Sequence, residues 1–432
     1  MNIPIEHDSR RSVAFAKEGN VWLRNYIYYS TLIYVFSLRL TGTLGLGIRP
    51  IELNLLLICL LVKFTRIPKW ILWFLLYLAV SGGIGIANGT SSLSEFVIDF
   101  KAIAINVLYY YYFFKLIRDD SDRAFSTYLR LAYWFAIIAI PIWVFSIGAN
   151  DDLRLRGLAT EPEQFCILVL PAYYWYAHQF FTTRKHALEV TVFTLTVILT
   201  QSTVGYLCVA FGIVLLMSRS RKYLIAAPLI FCAVFGLAYV ASDYVRARVD
   251  DTLRAATTLD MTGSNMSTFS FISNAIVTQQ VLKESPLIGN GLGSHDISRT
   301  RFMNDIQGIE FFIEMHVATA TDTTANSLAL HVLSEFGILG FLGVPIFLFH
   351  FHVGGRGPRA AISNAILVCF FLRLIRSGEY FQPDQFFFIF IYILNHRKFV
   401  RESSAVVRRT SLRFSMKPLN LLGRATVGRL SI

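Results

Sequence analysis

Apolar stretches of bilayer-crossing length recur along this chain, separated by short polar turns, and they leave few folds open to it. A helix needs roughly 17 to 25 mainly apolar residues to cross the hydrocarbon core, where only helices and closed barrels satisfy every backbone group. Such windows lie near 20–38, 46–62, 69–87, 97–117, 127–147, 163–181, 187–202, 204–218, 223–242, 326–351, 360–376 and 383–396. The expected fold is an all-α polytopic membrane protein with about 12 transmembrane helices. Between 187 and 218, Thr200-Gln201-Ser202-Thr203 is a polar break that reads either as a kink or as a turn. Composition agrees, because 54% of residues are hydrophobic, 16% are charged and the mean hydropathy is +0.52, beyond what a soluble core requires.

Lys and Arg in the short turns set the orientation. With the N-terminus inside, the cytoplasmic segments collect Lys63, Arg66 and Lys69; Lys115, Arg118, Arg123 and Arg130; Arg184 and Lys185; Arg219, Arg221 and Lys222; and Arg356 and Arg359. Residues 1–242 then form an N-terminal membrane region of about nine spans. Residues 243–325 form a large periplasmic loop between spans 9 and 10, 326–396 the C-terminal spans, and 397–432 a basic cytoplasmic tail. Both termini are expected in the cytoplasm and the protein in a bacterial inner membrane, span 1 serving as the insertion signal. The net charge of +12 does not point to nucleic acid, because the tail alone holds nine Lys and Arg against Glu402. Its place beside the inner leaflet reads as attraction to anionic lipid. The long loop is the reverse, with ten acids and six bases. Cys59, Cys166, Cys208, Cys232 and Cys369 all fall in predicted spans without a CxxC pair and read as packing residues.

Against this pattern, arginines stand on the outer side. Arg39 and Arg49 flank the first external turn and Arg154 and Arg156 occupy the third. Arg246, Arg248 and Arg254 open the long loop, and Arg373 and Arg376 close span 11. A guanidinium offers a planar fork of donors matched to phosphate and keeps its charge when desolvated. External arginines at the lipid boundary therefore suggest an anionic ligand delivered by the membrane, such as a lipid pyrophosphate. The alternative is that each pairs with a nearby acid or snorkels to head groups. Arg373 and Arg376 are three apart and expected to share a helix face, with Glu379 three further on, which also fits a local ion-pair ladder.

Other polar residues divide similarly. Asp99 and Lys101 inside span 4 receive no role, and Asp119-Asp120-Ser121-Asp122 reads as a solvated charge cluster rather than a metal site. His316 lies in the external loop, where a base can reach the membrane surface, whereas His331 in span 10 reads as a satisfied polar group. Neither HExxH nor GxSxG, nor a Walker loop, nor GxGxxG before a helix occurs, so no metal or cofactor is expected.

Several motifs occur in a telling order. Thr203-Val204-Gly205-Tyr206 opens span 8. Pro286-Leu287-Ile288-Gly289-Asn290-Gly291-Leu292-Gly293 lies in the long loop, and Asn326-Ser327-Leu328 leads into Leu333-Ser334-Glu335-Phe336-Gly337-Ile338-Leu339-Gly340. This series resembles the O-antigen ligase and Wzy-type polysaccharide polymerase superfamily. Upstream, Arg156-Gly157-Leu158-Ala159-Thr160-Glu161-Pro162 resembles the R-G-x-x-x-E-P stretch of exopolysaccharide polymerases in that group. The likeness covers residues 150 to 345.

The resemblance implies a membrane glycosyltransferase that polymerises lipid-linked oligosaccharide repeat units for exopolysaccharide, capsule or O-antigen. The donor would be a polyprenyl-pyrophosphate-linked oligosaccharide at the periplasmic face, without metal or nucleotide. A chain-length regulator and a flippase of the same pathway are the implied partners, besides the bilayer. Pyrophosphate or glycan contacts are assigned to Arg154, Arg156, Arg246, Arg248, Arg373, Arg376 and Asn326, and the base to Glu161 or His316. Gly289, Gly291 and Gly293 read either as a nest of amides for phosphate or as a turn between loop helices. Two departures stand out. Ser270 and Phe271 occupy a region upstream of the Pro-Leu-x-Gly element where the family often has Arg, and Ala325 stands where ligases commonly have His. An O-antigen ligase and a polysaccharide transporter or flippase are the alternatives.

Overall fold

The computed structural model describes residues 21–36, 50–61, 66–147, 154–159, 161–217, a few positions between 229 and 240, 243–314, 325–380 and 382–415. Within lipid every backbone group must find its partner inside the segment, which favours helices. The described residues are mainly helical and contain no strand, with one isolated bridge between Asp260 and Gln307. In chain order the membrane region runs α1 (Val21–Phe36), α2 (Pro50–Leu61), α3 (Lys69–Ala87), α4 (Leu93–Leu116), α5 (Ser121–Ser146), α6 (Pro162–Thr183), α7 (Ala187–Leu199) and α8 (Thr203–Met217). A layer of shorter helices follows, with α9 (Asp243–Thr258), α10 (Met266–Glu284), α11 (His295–Phe302) and α12 (Ile309–Glu314). The chain then returns through α13 (Leu328–Phe351), α14 (Pro358–Ile375) and α15 (Pro383–Ser415).

Five of these helices, α3, α4, α5, α13 and α14, are long and apolar enough to cross a membrane by length and composition. Helices α7 and α8 are shorter apolar segments. The break between them is a turn, in which Gln201 adopts φ 49° and the Ser202 hydroxyl accepts the Gly205 N–H at 3.1 Å. Windows 20–38, 46–62, 163–181 and 383–396 hold α1, α2, α6 and α15, and most of 223–242 lies outside the described residues. Helix α15 runs on to Ser415, so the basic tail begins as helix.

At the centre, α14 packs against α6, α8, α13 and α15. Between lipid-facing helices such contact is driven by close packing rather than by exclusion of water. The run Tyr109 to Phe114 on α4 is buried throughout, and Phe114 stacks on Phe390 of α15 at 5.8 Å. At the end of the bundle where α5 and α14 begin, Arg359 bridges Asp122 of α5 and Glu402 of α15, while Lys398 reaches Asp122 at 3.2 Å. The Asp119–Asp122 acids therefore serve as caps and ion-pair partners.

This layer, α9 to α12, has its own small core. Phe269 stacks on Phe312 at 3.7 Å beside Met261, Val277, Val281, Ile306 and Ile309. Asn265 caps α10 by accepting the Thr268 N–H at 3.1 Å, and α10 lies along α13.

Helix α13 is broken at Gly337 (φ 62°, ψ −164°), and the loop before α11 closes the break. The Ser334 and Glu335 carbonyls accept the Asn290 and Gly291 N–H groups at 3.0 and 2.8 Å. In return, the Ile338 and Leu339 N–H groups donate to the Pro286 and Leu287 carbonyls at 2.9 and 3.1 Å. The same loop is gripped from the α3–α4 turn, where the Thr90 hydroxyl donates to the Asn290 carbonyl at 2.7 Å and Ser91 to the Leu292 carbonyl at 3.0 Å. A side chain at Gly289 would meet the Glu335 carbonyl carbon at 2.6 Å, and one at Gly291 the Ser81 carbonyl oxygen at 2.6 Å. These glycines permit close backbone approach and positive φ. Their amides are engaged within the protein, Gly289 on Ser285 O, Gly291 on Glu335 O and Gly293 on Glu335 Oε1, so the loop is not a phosphate nest.

Candidate functional site

Polar residues converge where α6 begins and α14 ends. Between α5 and α6, Leu155 and Ala159 are fully buried, and the Leu155 N–H donates to the Leu199 carbonyl at 2.9 Å. Gly157 (φ 55°) lies so close to α5 that a Cβ would stand 2.7 Å from that of Ala139. The flanking Arg154 and Arg156 are half-buried, and Arg156 has no side-chain partner among the described residues. Pro162 then starts α6 with Glu161 at the N-cap, yet the Glu161 carboxylate makes no capping hydrogen bond. Glu is not among the side chains that commonly cap a helix, and this carboxylate lies instead within electrostatic range of Arg376 and Arg154.

Glu163, in the first turn of α6, holds Arg376 Nε at 2.5 Å. Helix α14 ends at Ile375, and Arg376 is already extended (φ −145°, ψ 128°). Arg376 Nη2 donates to Ser267 Oγ at 3.2 Å, and Arg248 Nη1 donates to the same oxygen at 2.9 Å. Two guanidiniums from distant segments thus meet on one neutral hydroxyl. Partial enclosure, and next the neighbouring Glu163, raise the Glu161 carboxyl above its ordinary value of 4.5, against the pull of Arg376 and Arg154. Glu379, in the turn after α14, is also raised by burial, opposed by its hydrogen bond from Gln382 and by Arg373. Arg154, Glu161, Glu163, Arg248, Arg376 and Glu379 form one electrostatic cluster where α6 begins and α14 ends.

The other candidates sit elsewhere. Arg373 and Arg376 do not share a helix face, because the helix stops between them. Arg373 is buried and pairs with Asp384 of α15, and its Nη1 also reaches Ser377 Oγ at 3.2 Å. Arg246 pairs with Asp243 at 3.3 Å, donates to the Val240 carbonyl at 2.9 Å and lies over Tyr239. Arg254 pairs with Asp251 at 2.9 Å. Asn326 adopts φ 53° and its carbonyl accepts the Ser377 N–H at 3.2 Å, while its buried Nδ2 has no partner among the described residues. Arg39, Arg49 and His316 lie outside the described residues.

A second polar group, whose His331 was read from sequence as a satisfied polar residue and whose Asp99 was given no role, lies where the α9–α12 layer meets α13. His331 Nδ1 donates to the Gly378 carbonyl at 2.5 Å, and its Nε2 faces Glu335 Oε1 at 3.2 Å. Because Nδ1 carries one proton, that contact needs a second proton on either the imidazole or the carboxyl. Tyr380 stacks on His331 at 4.2 Å, and Asp99 of α4 is within electrostatic range of both partners. Lys101, its neighbour, instead reaches Glu52 of α2 at 3.2 Å. Next to the pair, burial, His331 and Arg299 hold His295 well below the usual histidine range, so its ring is neutral near pH 7. Its Nε2 donates to Asn274 Oδ1 at 3.1 Å, and Nδ1 accepts from Ser334 Oγ at 3.0 Å. Arg299 Nη1 donates to the same Asn274 oxygen at 2.7 Å and to Ser273 Oγ at 3.1 Å. A buried guanidinium therefore does occupy the Ser270–Asn274 region of α10, supplied from α11 rather than from α10 itself.

Compared with known proteins, the chain matches no family model and no curated protein at a significant level.

Proposed function

We propose that this protein is a membrane glycosyltransferase that joins polyprenyl-pyrophosphate-linked oligosaccharide repeat units at the outer face of a bacterial inner membrane. The observation that carries the reading is the meeting of Arg248 and Arg376 on Ser267 Oγ, beside a Glu161 carboxylate not engaged as a cap. In such a transfer the anomeric C–O bond to the carrier pyrophosphate breaks as the acceptor hydroxyl forms the new glycosidic bond. Negative charge grows on the departing pyrophosphate, so fixed guanidiniums stabilise the transition state more than the bound donor. Arg376 and Arg248 take this role, with Arg154 and Arg156 on the α6 side. The acceptor hydroxyl proton passes to Glu161, whose raised affinity for protons suits a base working near neutral pH. The acceptor is a second lipid-linked repeat, and growth continues by repetition.

The test is the length distribution of carrier-linked glycan in cells with and without the protein. Loss of the chain leaves single lipid-linked repeats under this reading, whereas a ligase leaves normal lengths on the carrier and none on the final acceptor. The break in α13 at Gly337 beside His331 and Glu335 favours a second reading, a transporter, since discontinuous helices with paired buried charges build many substrate and proton sites. In that case lipid-linked single repeats accumulate on the inner leaflet instead of the outer one.

A further inference from the structure

The opposite end of the bundle carries a cavity that glycosyl transfer does not use. It has a volume of about 600 Å³ and opens where α1 begins, α4 turns into α5, and α15 leaves the bundle. Four cations, Arg24, Arg118, Arg123 and Lys398, line it against two carboxylates, Asp119 and Asp120. Both carboxylates are partly neutralised locally. Asp119 pairs with Lys115 at 3.0 Å, outside the cavity, while Asp120 caps α5 through the Arg123 N–H at 3.2 Å and faces Lys398 at 3.7 Å, which also pairs with Asp122 at 3.2 Å, so an incoming anion shares Lys398 with these acids. The Arg123 guanidinium is held over the Tyr28 ring at 4.7 Å, and Arg24 Nη2 is anchored on the Leu116 carbonyl at 3.3 Å. Val21, Leu116 and Ile117 add an apolar wall beside these cations.

We propose that this cavity binds a phosphate-bearing anion, the phosphate lying between Arg24, Arg123 and Lys398. Guanidiniums fixed by a ring and by a backbone carbonyl are already oriented for an anion, and little side-chain freedom is lost on binding. The adjoining apolar wall suits a phosphate joined to acyl chains, and the positive-inside reading puts the cavity beside the inner leaflet. A soluble phosphate compound shares the same head chemistry.

The test uses the full chain in an uncharged detergent with short-chain phosphatidylglycerol, phosphatidylcholine of equal chain length, and inorganic phosphate. Thermal unfolding and protection of Lys398 from an amine-reactive reagent are followed against concentration. Saturable stabilisation and Lys398 protection by phosphatidylglycerol but not by phosphatidylcholine is the expected result, weakened about tenfold in Arg24→Gln and in Arg123→Gln. Equal saturation by inorganic phosphate supports the site and assigns it to a soluble ligand. If neither anion protects Lys398 in the unmodified protein, or both variants bind as tightly as the parent, the proposal is overturned. Because Lys398 protection is read on the parent protein, a variant that fails to fold leaves the test intact.

Discussion

Arg373 and Arg376 stand three residues apart and have opposite roles. Arg373 is sealed against Asp384, so Arg373→Ala strands a buried carboxylate and should cost about 3–5 kcal/mol, read as a lower unfolding temperature and less protein in the membrane. Arg376 sits in the cluster with Glu161 and Glu163, and under the proposed function Arg376→Ala should leave protein levels intact while slowing polymer formation by about a hundredfold or more, as loss of one transition-state donor does. With Glu161 as the proposed base, the pH dependence follows from its carboxyl. A base works ionised, so activity falls as pH drops through its raised pKa, and the acid limb should lie above the ordinary glutamate value of 4.5. Arg376 holds that pKa down, so Arg376→Gln should move the limb of the residual activity to higher pH; an unmoved limb would exclude Glu161 as the base. The arginines themselves were legible from residue type and their places in the turns between apolar windows. Their partners were not, because Glu163 and Ser267 come from α6 and α10, and linear spacing carries no distance between segments so far apart.

At the level of elements, the glycine-rich loop and the broken α13 are one unit, each supplying the backbone partners that the other lacks. Gly337→Ala would place a Cβ 2.5 Å from the Leu287 carbonyl at a positive φ, and Gly289→Ala meets the Glu335 carbonyl in the same way. Both substitutions should destabilise by more than about 3 kcal/mol, whereas Gly343→Ala, with open space around it, should be neutral or gain about 0.5–1 kcal/mol of helix propensity. Thermal unfolding in detergent separates the three. The run Gly289-Asn290-Gly291-Leu292-Gly293 read in the sequence as a phosphate nest or a turn, and its close neighbours are the α3–α4 turn and the kink of α13. The apolar windows gave helix positions well, since α3 matches its window and α4 to α8 come close. The loop from 243 hid its helices because α9 and α11 are polar on average and α12 has only six residues.

For the whole molecule, orientation is the first quantity to check. A cysteine at Thr257, exposed on α9, should react with a membrane-impermeant thiol reagent in intact cells, and one at Ser404, exposed on α15, only after permeabilisation. The reverse pattern would place the arginine cluster in the cytoplasm and remove the lipid-pyrophosphate argument. If Arg376 and its neighbours drive chain growth on a lipid carrier, as proposed, the size ladder of carrier-linked glycan in cells lacking the chain and complemented with it shows this. The parent protein should restore a ladder of many repeats, while Arg376→Ala, present at the same level, should leave single repeats on the outer leaflet. A full ladder from Arg376→Ala, or an unchanged ladder in cells without the protein, would contradict the account.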